Sequence, residues 1–150
     1  MTTATSFEEP RMKIGRVTPP LHRALVGLGN EIDLEPRLRE LVNVRASILN
    51  GCAYCIDIHT KAARRAGESE QRLHALAAWH EAPFFDDRER AALALTDSVT
   101  LIAEHHVPGD VWEEASAYFE PDELAQLLWA ITVINAWNRL AITTRMRPAA

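Results

Sequence analysis

The sequence predicts an all-α fold, and three observations carry that expectation. Apolar residues recur at helical spacing, as in Leu124, Leu127, Leu128, Ile131 and Ile134. Prolines and short polar residues stand where the periodic stretches begin, and glycines stand near several of their ends. No stretch shows strand alternation flanked by hairpin turns. A chain of 150 residues suits one domain with room for a real core.

The elements follow in order. Residues 1–18 show no convincing periodicity and are expected to form an extended arm, packed on a neighbouring subunit; residues 19–150 form the helical domain. "LHRALVGLGNEI" follows Pro20 as a first helix that ends near Gly29 and Asn30. A second runs from about Glu35 to Asn50, with Pro36 in the favoured first turn. A third covers about Ala53 to Ala66, and Gly67 is its stop signal. Ser69 caps a fourth, "EQRLHALAAW". "EAPFF" is a connection. Asp86 or Asp87 starts a long fifth helix through about Glu104. Pro108 to Asp110 introduces "VWEEASAYF", and Pro121 opens a last helix to about Thr144. The total is about seven helices. The last is apolar nearly all round, with Trp129, Val133, Ala136, Trp137 and Leu140 beside the leucine and isoleucine stripe. Such a helix has to be buried on most sides, which suits either a subunit interface or a central core helix. Trp112, Tyr118 and Phe119 add apolar surface and favour the oligomer.

Composition narrows the function. The chain is 47% hydrophobic and 25% charged, which fits a soluble globular protein. Its net charge is -5, with no basic stripe to meet nucleic acid or an anionic membrane. "MTTATSFEEPRMK" lacks the apolar run of a secretory signal. "LAQLLWAITVINAW" is too short to span a bilayer and carries Gln126, Thr132 and Asn135. These features lead to the expectation of a cytoplasmic protein. A close cysteine pair in that reducing compartment is more often catalytic or metal-binding than a structural staple.

Both cysteines lie in "NGCAYCIDIHTKAARRAG". With a helix starting there, positions 52, 55, 59, 62 and 66 share one face, reading Cys, Cys, His, Ala, Ala. Asp57, Lys61, Arg64 and Arg65 fall on the opposite, solvated face. The thiols and the imidazole are therefore expected to point into a shielded pocket. A spacing of three at a helix start brings the two α-carbons into disulfide range, roughly 4.4–6.8 Å. The helix amino terminus favours a thiolate. His59, one turn after Cys55, is placed to accept or relay the thiol proton.

Glu40 is a candidate partner for His59. If a tight turn near Asn50 and Gly51 lays the second and third helices side by side, their levels differ by roughly one helical turn. A carboxylate beside an imidazole fixes its tautomer and raises its basicity. Plainer readings exist: an inward histidine that only satisfies core hydrogen bonds, and a Glu40 that only favours the helix macrodipole. Zinc is the rival chemistry, since Cys52, Cys55, His59 and Glu40 are four potential ligands. Structural zinc clips usually join irregular loops, whereas this set lies along helices, so no metal is assigned.

"ELVNVRASILNGCAYCIDIHTKAARRAGESEQRL" resembles the core motif of the alkylhydroperoxidase D-like proteins of the carboxymuconolactone decarboxylase superfamily. That pattern is a Glu, eleven residues, CxxC, three residues and a His, and Glu40, Cys52, Cys55 and His59 match it at every spacing. The likeness continues through "ALAAWHEAPFFDDRERAALALTDSVTL" and "INAWNRLAI", covering about residues 10 to 145. It implies an all-helical fold assembled as trimers or hexamers, with no cofactor. It implies thiol peroxidase chemistry on a hydroperoxide, with Cys55 peroxidatic, Cys52 resolving, Glu40 and His59 as the proton relay, and a dithiol reductant. The family's true decarboxylases lack the cysteine pair, so the motif speaks against decarboxylation. One position departs: well-characterised members carry a His just before the second cysteine, and here it is Tyr54. A phenol is a poor base near neutrality but can donate a hydrogen bond. Two alternatives stay open: a disulfide oxidoreductase or redox sensor with a non-peroxide substrate, and a non-enzymatic helical assembly. Asn135, Asn138 and Arg139 are expected to make buried hydrogen bonds or an interface ion pair, not to catalyse. His22, His74, His80, His105 and His106 lack ligand spacing and are expected to be structural or exposed.

Overall fold

A computed structural model describes residues 9–149. Among these residues it is all-helical, with nine α-helices, one 3-10 turn and no strand. In chain order the helices are α1 (Ile14–Val17), α2 (Pro19–Asn30), α3 (Pro36–Asn50), α4 (Ala53–Arg65), α5 (Glu70–Ala75), α6 (Asp87–Thr100), α7 (Ile102–His105), α8 (Gly109–Tyr118) and α9 (Pro121–Thr144); the 3-10 turn is Leu76–Ala78.

The capping chemistry explains most boundaries. Pro36 opens α3 where an amide donor is not needed, and the Glu35 carboxylate takes the N–H groups of Arg37 and Leu38. Ser69 Oγ takes the Arg72 N–H at the start of α5. Asp86 and Glu89 form a reciprocal capping box at the start of α6.

Two short helices exceed the expected seven. Ile14–Val17 forms a single turn inside the arm, packed against α2. The long fifth helix is interrupted at Leu101, whose backbone (φ -98°, ψ 36°) leaves helical space before α7 resumes. The β-branched pair Val99 and Thr100 precedes that break, which no proline or glycine marks.

α3 is the central element and packs on α4, α6 and α9. Leu41, Val42, Val44 and Ala46 of α3 are buried, as are Leu93 and Leu95 of α6 and Leu127, Ile131 and Ile134 of α9. Two polar clasps reinforce this packing. Arg45 pairs with Asp97 in a two-pronged contact (2.8 and 3.1 Å), and Trp79 Nε1 donates to the same carboxylate at 3.1 Å. Arg72 bridges Glu68 at 2.8 Å and Glu89 at 2.6 Å. The hydrogen bond to Glu89 is the largest cause holding the Arg72 guanidinium well above its ordinary range, and Glu68 adds to it.

Among the described residues α9 is only partly enclosed. Leu124, Leu127, Ile131 and Ile134 are buried, but Leu128, Trp129 and Ile142 are exposed. Among the described residues no helix is long and apolar enough to cross a membrane.

Candidate functional site: a dithiol beside a carboxylate–imidazole pair

The site begins with the turn between α3 and α4, which is two residues long. Gly51 ends α3 in the left-handed conformation (φ 69°, ψ 34°), which glycine adopts without strain. The Gly51 and Cys52 N–H groups return to Ile48 and Ser47 carbonyls at 3.1 and 2.9 Å. Cys52 is then at once the N-cap of α4, and its Sγ receives the Cys55 N–H at 3.3 Å. A chain that reverses this sharply has to lay α3 and α4 side by side.

Cys52 and Cys55 are joined as a disulfide, with α-carbons 5.3 Å apart, and each is 1% exposed. The pair sits at the helix end where backbone N–H groups favour a sulfur anion once the bond is reduced.

One turn along α4, His59 Nδ1 lies 2.8 Å from Glu40 Oε2 on α3. A carboxylate at that distance makes Nδ1 the donor nitrogen, and in the neutral imidazole Nε2 then keeps its lone pair. Asn43, one turn after Glu40, has Nδ2 3.3 Å from the same Oε2 and 3.4 Å from His59 Nδ1. With Nδ1 protonated, the Asn43 amide donates to Glu40 and holds the carboxylate against the imidazole.

Cys55 and His59, but not Cys52, line a cavity of about 300 Å³. Its apolar walls include Val26, Ile58, Val133 and Trp137, and His22 packs edge-on to Trp137 at 5.3 Å. A second hollow, with Tyr54 and Trp137 common to both, lies under residues 10–16.

Behind the disulfide runs a buried polar chain with a fixed direction. Ser47 Oγ donates to the Asn43 carbonyl at 2.7 Å, so it accepts from Asn138 Nδ2 at 3.0 Å. Asn135 Nδ2 donates to the Ile131 carbonyl at 2.9 Å and to Thr100 Oγ1 at 3.0 Å. Both asparagines therefore turn their Oδ1 atoms towards Asn50, whose Nδ2 donates to them at 2.9 and 2.8 Å. Arg139 Nη1 donates to the same Asn135 Oδ1 at 3.0 Å. Asn135 and Asn138 make the buried hydrogen bonds expected of them, and Arg139 is exposed. The chain fastens α9 to the residue before Gly51 and Cys52.

The structure brings Glu40, Cys52, Cys55 and His59 together. Tyr54 is half-buried and lines the cavity. The inward face of α4 turns at its end: Ala63, not Ala62, is the buried residue. Among the described residues no three His, Cys, Asp or Glu converge in an arrangement that could hold a metal ion. His74 and His80 are largely exposed, whereas His22 stands in the cavity wall, beyond the structural or exposed role expected of it. Asn43, Arg39 and His22 are the site residues that sequence reasoning passed over. Asn43 carried a signal in its helical spacing from Glu40. Arg39 and His22 carried none, because a lone basic residue on a helix has many uses.

A helical bundle in which a helix-capping cysteine pair faces a carboxylate-backed histidine defines a class of dithiol proteins. The carboxymuconolactone decarboxylase family model matches residues 19–98, and the chain belongs to that family as an alkylhydroperoxidase D-like member. It is similar to YdfG of Bacillus subtilis (strain 168), itself uncharacterized, with 41% identity over 111 residues, 74% of this chain and 76% of that protein. A structure from Agrobacterium tumefaciens, described as a protein of unknown function and a candidate antioxidant defence protein AhpD, superposes with a TM-score of 0.92. It is 37% identical and covers 95% of this chain and 99% of that one. An uncharacterized peroxidase-related protein from Silicibacter sp. TM1040 superposes with a TM-score of 0.75 at 25% identity, covering 85% of this chain and 70% of that one.

Proposed function

We propose that this protein is a thiol-dependent peroxidase that reduces organic hydroperoxides through a Cys52–Cys55 dithiol cycle. The observation that carries the reading is the 2.8 Å Glu40–His59 pair standing one helical turn beyond a helix-capping disulfide, with Cys55 and His59 both on the cavity wall.

In the reduced state Cys55 is the nucleophile. His59 Nε2 takes its thiol proton, and Glu40 stabilises the resulting imidazolium. The thiolate attacks the terminal oxygen of the hydroperoxide, and the O–O bond breaks. That oxygen stays on sulfur as a sulfenic acid, and the departing alkoxide takes the proton from His59 and leaves as alcohol. The Cys52 thiolate then attacks the Cys55 sulfur, forming the disulfide, and the hydroxyl leaves as water with one proton. A dithiol donor supplies two electrons and two protons, returns both thiols and becomes a disulfide itself. Every step uses only the chain's own sulfurs, its proton relay and the two substrates. The cycle suits a reducing cytoplasm, where a dithiol donor is at hand.

The exposed apolar surface of α9 and α8, with Trp129 52% and Trp112 44% exposed, supports a homo-oligomer of three or six copies. Light scattering tests it, and a monomer at micromolar concentration removes the assembly reading.

Peroxide consumption, followed with a panel of dithiol donors, tests the activity. The parent protein turns over with at least one donor, and Cys55→Ser does not. Equal consumption by Cys55→Ser overturns the peroxidatic assignment. A disulfide that cycles with dithiols but never consumes peroxide makes the protein a disulfide oxidoreductase instead.

A further inference from the structure

The cavity in front of Cys55 carries a charge bias that the dithiol cycle does not use. The chain is acidic, with 21 Asp and Glu against 16 Lys and Arg. No Asp or Glu lines this cavity, and Arg39 does. Arg39 spends two of its donors at the carboxyl end of α2: Nη2 to the Gly29 carbonyl at 2.7 Å and Nη1 to the Ile32 carbonyl at 3.3 Å. A guanidinium has five N–H donors, so three remain. Its Nη2 lies 3.6 Å, and Val133 Cγ1 3.8 Å, from where a Cβ on Gly29 would stand. Gly29 and Val133 line the same cavity, so the cation sits at that end of it.

The other end is the reacting one. Arg39 and Asn43 share one face of α3, with side chains roughly 5–6 Å apart at their base. Asn43 in turn reaches to 3.4 Å from His59 Nδ1. A cation and a proton relay thus stand on the order of one to two helical turns apart, across apolar walls built from Val26, Ile58 and Trp137.

We propose that the cavity takes a carboxylate-bearing organic substrate, with its carboxylate on Arg39, its short apolar body along those walls and its reacting group at Cys55 and His59. A planar carboxylate matches the fork of a guanidinium. The carbonyl oxygens of Gly29 and Ile32 beside Arg39 disfavour a phosphate dianion more than a single negative charge. The reacting end rests on the peroxidase reading, whereas the carboxylate end rests on Arg39 alone.

Binding of a substrate-shaped probe to the oxidised protein separates the two. Octanoate and octanol share a chain and differ in charge, and the NMR signals of the Trp137 indole N–H and the Val133 methyl groups, the latter lining this cavity and not the second hollow, together report occupation of the cavity. Octanoate binds at least about tenfold more tightly than octanol, the scale of a charge-assisted hydrogen bond. Arg39→Gln removes the preference. Gly29→Ala keeps the backbone contacts of Arg39 but sets a methyl beside Nη2, and it also weakens octanoate. Inorganic phosphate leaves both signals in place. Equal binding of octanoate and octanol by the parent protein overturns the proposal, as does a folded Arg39→Gln that keeps the preference. Binding that does not shift both the Trp137 and Val133 signals, or phosphate binding in the cavity, overturns it too. No peroxide enters this experiment, so loss of the peroxidase reading leaves its result standing.

Discussion

Asn50 offers a sharp test of how the dithiol turn is held. Its amide donates to the Oδ1 atoms of Asn135 and Asn138, and the direction of both bonds is set by backbone carbonyls further along the chain. In Asn50→Ala the two oxygens fare differently. Asn135 Oδ1 keeps Arg139, so that loss is about 0.5–1.5 kcal/mol. Asn138 is 0% exposed, and stranding its Oδ1 costs about 1–3 kcal/mol. The sum is about 1.5–4.5 kcal/mol, a large share of the roughly 5–15 kcal/mol that stabilises a typical domain. For a chain of this length it lowers Tm by about 5–15 °C. Asn50→Asp is worse near neutrality, because it sets a carboxylate against two acceptor oxygens. Those oxygens raise the folded-state pKa of the new acid above its unfolded value of about 3.9. The relief from protonation is therefore complete below that unfolded value and is lost as pH rises through the folded one. Urea titrations of the three proteins at pH 4 and pH 7.5 provide the measurement. Both variants within about 0.5 kcal/mol of the parent at pH 7.5 refute the directed chain, because surface changes alone reach that size.

Other outcomes follow from the same geometry. Glu40→Gln keeps the shape of the pair but loses the charge that stabilises the imidazolium, so kcat/KM for peroxide falls about 10–100-fold, measured by stopped-flow. A variant at the parent rate removes Glu40 from the relay. Arg72→Met leaves the Glu68 carboxylate, whose side chain is 0% exposed, without its main partner and costs about 3 kcal/mol in chemical denaturation. Arg72 is held above its ordinary range, so the stabilisation present in the parent does not fade as pH rises through the accessible alkaline range. Gly51→Ala meets no atom within 4 Å, so only the left-handed backbone opposes it. It destabilises by about 1 kcal/mol and leaves the disulfide able to form, which thiol titration after mild oxidation checks.

The parts of this fold that the sequence made legible are those governed by local chemistry. Pro36 behind Glu35, Ser69, the Asp86–Glu89 box and Gly51 each mark a helix end through an interaction completed within four residues. The pairing of Glu40 with His59 was also legible, because a two-residue turn leaves two helices little choice of register. What escaped depends on neighbours distant in sequence. Leu101 breaks a helix without any breaker residue. Ala63 rather than Ala62 is buried because Leu41, Val44 and Leu73 converge there. Leu128 and Trp129 read as covered residues of an apolar helix, at a subunit interface or in a core, and among the described residues both are exposed. Arg39 enters the site only because the end of α2 lies across it, 10 residues away in sequence at Gly29.

The contact of Arg11 with the far end of α9 has a mechanical meaning. Its N–H holds the Thr144 carbonyl at 2.9 Å, and its guanidinium holds that of Thr143 at 3.1 Å. Residues far apart in sequence thus meet at one spot. Pulling residues 9 and 149 apart loads these bonds first, one after another, as in opening a zip. In an optical trap the segment before α2 should peel away at low force, uncovering the hollow under residues 10–16, before the bundle yields in a separate, stronger event. The protein would then carry its weakest seam over a hollow that shares Tyr54 and Trp137 with the cavity beside Cys55.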